Sequence, residues 1–102
     1  NVEIVSVSYT NGAFDLTTVL GQCHSWQINH LWVEAGAKLS ASFINEQLVD
    51  ELILYMAPKI MGAGANELLP IGPFEKMTEC LDLTLHDTRM LDKDIKFRFT
   101  CG

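Results

Sequence analysis

Apolar and polar positions recur along this chain at two periods, and each period implies a different element. Leu16, Val19, Leu20 and Cys23 stand at helical spacing and form one apolar stripe. Asp15 sits just ahead of them, where its carboxylate accepts from amides one turn on. This predicts a helix ending near Trp26, which falls part in the core and part at an interface. Gly21 weakens it by about 1 kcal/mol relative to alanine. Leu39, Phe43, Ile44 and Leu48 define a second amphipathic helix, from about Ala37 to Gln47.

The strands read differently. Val2 to Val7 is short, β-branched and apolar, and Asn11-Gly12 marks a turn. Leu31-Trp32-Val33 is a continuous apolar run, which suits a strand covered on both faces in a parallel sheet, with Trp32 in the core. Leu52 to Ala57 is another such run, closed by Pro58 because proline cannot donate to a ladder. Strand, helix and strand here compose one βαβ unit with a right-handed crossover. Val2–Val7 and the first helix form a preceding unit of the same kind. A Gly- and Pro-containing loop runs from Gly62 to about residue 73. Leu81, Leu83 and Leu85 then alternate with polar residues, as do Ile95, Phe97, Phe99 and Cys101, predicting two antiparallel strands joined by residues 87–94. Asp82 is expected opposite Lys96 and Arg98.

Composition narrows the function. The 102 residues are 48% hydrophobic and 20% charged, as in one globular domain. A net charge of −6 repels phosphate backbones at long range and argues against nucleic acid as a partner. No apolar run reaches the ~20 residues of a membrane helix. Cys23, Cys80 and Cys101 are odd in number, widely spaced and without a CxxC, which points to reduced thiols in a cytoplasmic protein. No signal peptide is visible, and a chain starting at Asn1 rather than methionine reads as part of a longer protein or a trimmed one. His24, His30 and His86 do not fall at ligand spacing with the cysteines, and surface histidines are the reading adopted. Asp50-Glu51 reads as a solvated helix-to-strand corner, and Asp92 and Asp94 as parts of the hairpin connection.

The stretch that carries chemistry is Val33-Glu34-Ala35-Gly36-Ala37-Lys38-Leu39, where a strand hands over to a helix through small residues. Small residues let a ligand approach the backbone, and a helix N-terminus favours phosphate. Lys38, Ser40 and Ser42 offer further donors, and no acid competes in the first turn. From spacing alone, an ordinary strand-to-helix turn accounts for the segment better than a phosphate site does.

Three linked motifs change that balance: Val33-Glu34-Ala35-Gly36, Val49-Asp50-Glu51 and Ala57-Pro58-Lys59 occur in order and at close spacing. Together they resemble the C-terminal reductase domain of bacterial bifunctional riboflavin-biosynthesis deaminase/reductases. The resemblance runs through nearly the whole chain and is densest from Ile28 to Gly62. It implies an α/β, three-layer, dihydrofolate-reductase-like half-domain, with a mixed sheet containing the parallel βαβ unit and a C-terminal antiparallel hairpin. It implies an oxidoreductase that reduces the ribosyl group of 5-amino-6-(5-phosphoribosylamino)uracil with hydride from NADPH, and that forms a dimer. Gly36, Ala37, Lys38, Leu39, Ser40, Ala41 and Ser42 would correspond to the cofactor-phosphate turn, and Glu34 to a substrate-contacting residue at the strand's C-terminal end. No metal ligand and no catalytic nucleophile is implied in this region, since the cofactor carries hydride chemistry. Ala35 replaces a glycine common in the family. Residues 1–102 would be the C-terminal part of the reductase domain, without its N-terminal half or the fused deaminase, because neither HxE nor PCxxC occurs. Such a fragment is expected to be inactive and to self-associate through uncovered apolar surface. Two alternatives remain: a pterin-type reductase of the same fold, and a non-catalytic oligomerisation or folding module.

Overall fold

The computed structural model describes residues 1–101. A two-residue hairpin opens the chain: β1 (Tyr9–Thr10) pairs antiparallel with β2 (Ala13–Phe14) across Asn11-Gly12. Both turn residues have positive φ, 54° and 78°, the backbone that tight hairpins need and that Asn-Gly supplies at low cost. Tyr9 and Phe14 meet edge to face with ring centroids 5.0 Å apart.

Helix α1 (Leu16–Ser25) starts where the spacing predicted, with Asp15 accepting from the amide and the hydroxyl of Thr18 at 3.2 and 2.8 Å. Helix α2 (Ala37–Asn45) follows. Both helices end in the same way. The amides of Gln27 and Ile28 bond to the carbonyls of His24 and Cys23 at 2.8 and 3.0 Å. Those of Gln47 and Leu48 bond to the carbonyls of Ile44 and Phe43, both at 3.0 Å. This paired pattern is the Schellman termination, and it holds Gln27 and Gln47 left-handed at φ 63° and 57°.

The main sheet is antiparallel with strand order β3-β5-β4: β3 (Glu51–Met56), β4 (Leu83–Leu91) and β5 (Asp94–Cys101). Its register places Leu52, Leu54 and Met56 on one face with Ile95, Phe97 and Phe99. The rings of Phe97 and Phe99 stack there at 6.0 Å. On β4, Leu83 and Leu85 oppose Cys101 and Phe99, whereas further along Thr88 and Met90 oppose Phe97 and Ile95. The switch from odd to even positions is made by a bulge between Leu85 and Asp87, which leaves His86 as the extra residue. His86 Nε2 lies 2.8 Å from Thr100 Oγ1. A one-turn 3-10 helix (Met77–Glu79) leads into the hairpin.

The α/β class expected from the sequence holds, but several expectations need correction. Val2–Val7 forms no strand; Val2 and Ile4 are 92% and 90% exposed. Leu31-Trp32-Val33 lies in an irregular segment and is exposed rather than core. Among the described residues the parallel βαβ pairing is therefore not formed, because β3 meets only β5, antiparallel, and its other edge is free. The Leu52–Ala57 run is not covered on both faces: Leu52, Ile53 and Leu54 are half-buried, and Tyr55, Met56 and Ala57 are exposed. The hairpin connection is not residues 87–94 but Asp92-Lys93, flanked by the pair Leu91 and Asp94. Asp82 precedes β4, and Arg98 instead donates to Glu51 across β3 and β5 at 3.1 Å. The two side chains are well exposed, so the pair contributes little, under about 1 kcal/mol.

Little of this chain is covered. Leu16, Ala41 and Phe43 are its buried apolar residues among those described. The accessible surface is 8783 Å², against about 5,800 Å² for a self-contained globule of this mass. The radius of gyration is 16.1 Å, against about 13 Å expected for this length. An excess near 3,000 Å² is several times the ~800 Å² that one side of a standard interface covers. A single ordinary surface contact does not account for it.

The helix ends generate two predictions. Gln47→Gly should raise stability by about 0.5–1 kcal/mol, because it relieves a side chain held left-handed; a denaturant midpoint shift at constant slope reads it. Thr18 holds the Asp15 carboxyl below its ordinary value, first through its hydroxyl and then through its amide. The contribution of Asp15 is thus complete above the ordinary carboxylate range and is lost as pH falls through the lowered value. Thermal melts should show a lower Tm for Asp15→Ala near neutrality, with the gap to wild type closing over that acid window.

Candidate functional site

The Glu34–Leu39 segment is where sequence chemistry and structure meet. Gly36 is the residue before α2, at φ −66° and ψ 168°, and Ala37 is the first helical residue. That backbone is open to any residue, and a Cβ added at Gly36 would meet no atom within 4 Å beyond its chain neighbours. Neither strain nor protein packing calls for glycine there, so its smallness leaves clear space in front of the helix.

No side chain caps α2, and its first turn holds no acid. The first intrahelical bond runs from the Ser40 amide to the Gly36 carbonyl at 3.1 Å. The amides of Ala37, Lys38 and Leu39 therefore have no partner inside the helix. The serine hydroxyls face back into the helix: Ser40 Oγ donates to the Ala35 carbonyl at 3.4 Å, and Ser42 Oγ to the Lys38 carbonyl at 3.1 Å. Ala41 is buried, on the helix side away from solvent. What α2 presents outward at its start is thus backbone N–H, the Lys38 side chain and the exposed apolar side chain of Leu39.

Ala37 and Lys38 line an open depression of about 530 Å³, closed on the other side by Ala65, Asn66, Glu67 and Pro70 of the Gly-rich loop. The loop's place opposite the helix terminus was not legible in the sequence. The amides, the lysine and the room before Gly36 fit a phosphate group. Glu67 opposes one, and a phosphate held here would have to keep its distance from that carboxylate.

Glu34 lies outside this depression and outside any strand, so it does not stand at a strand's end as expected. Its Oε1 accepts a hydrogen bond from Trp32 Nε1 at 2.8 Å, a contact that reading Trp32 as core residue missed. Elsewhere, burial first and then Asp50 push the Cys101 thiol up. All three cysteines are free. Among the described residues no group of three His, Cys, Asp or Glu side chains is placed to hold a metal ion. No helix there is long and apolar enough to cross a membrane.

The RibD C-terminal domain model matches residues 1–97. The chain belongs to the RibD C-terminal domain family. Within the family, it is 45% identical over 74 residues to the riboflavin biosynthesis protein RibD of Haemophilus influenzae, covering 72% of this chain and 20% of that one. It is 40% identical over 83 residues to the 5-amino-6-(5-phosphoribosylamino)uracil reductase of Buchnera aphidicola subsp. Acyrthosiphon pisum, covering 81% of this chain and 39% of that one. Its fold matches that of Acinetobacter baumannii RibD with a TM-score of 0.78 at 36% identity, over 84% of this chain and 24% of that one. The chain thus spans between about a fifth and two fifths of the length of these relatives. The fold is that of the corresponding part of a dihydrofolate-reductase-like RibD reductase domain, as the linked motifs implied.

Proposed function

We propose that the protein carrying this chain is an NADPH-dependent reductase of riboflavin biosynthesis. Its substrate is 5-amino-6-(5-phosphoribosylamino)uracil, whose ribosyl group becomes a ribityl chain. The observation that carries this reading is the bare start of α2: three amides without intrahelical partners, no acid in the first turn and Lys38 beside them. Family membership supplies the reaction class, since relatives are named for this reduction.

NADPH supplies the hydride when bound. The chain's own residues bind and orient. Gly36, Ala37, Lys38, Leu39, Ser40, Ala41 and Ser42 form the phosphate-holding turn, in which the amides of residues 37–39 and the Lys38 ammonium are the donors. The serines serve it indirectly, by tying the first turns to the carbonyls of Ala35 and Lys38. Glu34 accepts a hydrogen bond from the pyrimidine substrate. The protein acts in the cytoplasm as a dimer, with neither nucleic acid nor membrane as partner.

The chain by itself is inactive. A helix terminus contributes only about 0.3–1 kcal/mol toward a bound charge, and ~2 at best. Micromolar affinity requires about 8 kcal/mol. The α2 start therefore supplies a share of the cofactor's binding, and other parts of the natural protein supply the rest.

Ala37→Glu in the natural protein tests the turn, because it separates folding from binding. A carboxylate in the first turn favours the helix dipole, so stability should be unchanged or up by as much as ~1 kcal/mol. The KM for NADPH should rise at least about 2- to 5-fold, the size of the helix-terminus interaction it cancels. An unmoved NADPH KM in steady-state turnover rules out the turn as the phosphate site. Reduction of a pterin but not of the pyrimidine would point to the other substrate class, and no turnover of either to a non-catalytic module.

A further inference from the structure

We infer that Trp32 is a positioning residue: its indole N–H fixes one oxygen of Glu34 so that the other is presented to the substrate. The inference rests on the reading of Glu34 as a substrate contact. Trp32 stands in an irregular stretch between α1 and α2, with 65% of its surface open in this chain, and its one polar side-chain contact among the described residues is to Glu34. Its Nε1 lies 2.8 Å from Glu34 Oε1, a short bond to an ionised acceptor. Among the described residues no other hydrogen bond holds the Glu34 side chain.

A glutamate on an irregular segment has three rotatable bonds and no fixed direction of its own. Indole is a donor only and turns about two bonds, so it sets the carboxylate plane at small entropic cost. A carboxylate has about four acceptor sites. One occupied by indole leaves Oε2 free for an amino or hydroxyl donor of the substrate.

The experiment is steady-state turnover of the intact natural protein with single and double variants. Trp32→Phe keeps a ring and removes the donor. It should raise the KM for the pyrimidine substrate about 3- to 10-fold, the net worth of one hydrogen bond. kcat and the NADPH KM should stay within about twofold, as expected when only ground-state orientation is lost. Glu34→Gln should raise the same KM, and the double variant should be no worse than Glu34→Gln alone, because the two residues act as one unit. Additive losses would overturn the positioning role while leaving Glu34 as a substrate contact. An unchanged substrate KM in Glu34→Gln would remove the contact itself, and the inference with it. Should Trp32→Phe fail to fold, the indole 15N–1H resonance of Trp32 in the wild-type protein reads the same bond. It should move on substrate addition, and a resonance indifferent to substrate overturns the proposal.

Discussion

Strand β5 is the constraint on which the described fold depends. Every residue from Asp94 to Cys101 is paired with β4, and those from Ile95 to Thr100 are paired with β3 as well. It alone joins two segments far apart in sequence, Glu51–Met56 and Leu83–Leu91, into one surface. Its odd positions, Ile95, Phe97, Phe99 and Cys101, define the apolar face, and the two flanking strands must match that parity to bury anything. β3 does so directly through Leu52 and Leu54. β4 does so only because the bulge at His86 resets its alternation midway.

This ladder holds the C-terminal half of the chain together by backbone pairing, whereas the buried residues among those described, Leu16, Ala41 and Phe43, lie on the two helices. The helices are secured at their ends by local bonds, Asp15 to Thr18 at one start and the Schellman terminations at both finishes. Such bonds need no tertiary neighbour. Apolar stretches that do need one, Val2–Val7 and Leu31–Val33, stay in water. The large accessible surface and the large radius follow from that shortage of neighbours.

The same shortage shapes the site. The start of α2 keeps its amides without intrahelical partners, and the Gly-rich loop faces it across an open depression. Glu34 is steadied by its near neighbour Trp32 rather than by a sheet. Each is a local device, which suits a segment that contributes donors and an acceptor to a larger binding region.

What the sequence by itself determined was everything that local physics decides. The periodicity of Leu16–Cys23 and Leu39–Leu48 placed both helices, and Asp15 placed a start. The small residues before Lys38 located the candidate phosphate turn, and three motifs in order disclosed the family. The tertiary structure alone decided pairing. Val2–Val7 and Leu31–Val33 have strand composition, but a strand exists only with a hydrogen-bonded neighbour, which composition does not supply. The length of the hairpin was hidden for a related reason: the extra residue at His86 breaks the period of two, so alternation ended in the sequence six residues before β4 ends in space. The Trp32–Glu34 bond and the loop opposite α2 depend on where irregular backbone travels, and no periodicity encodes that path.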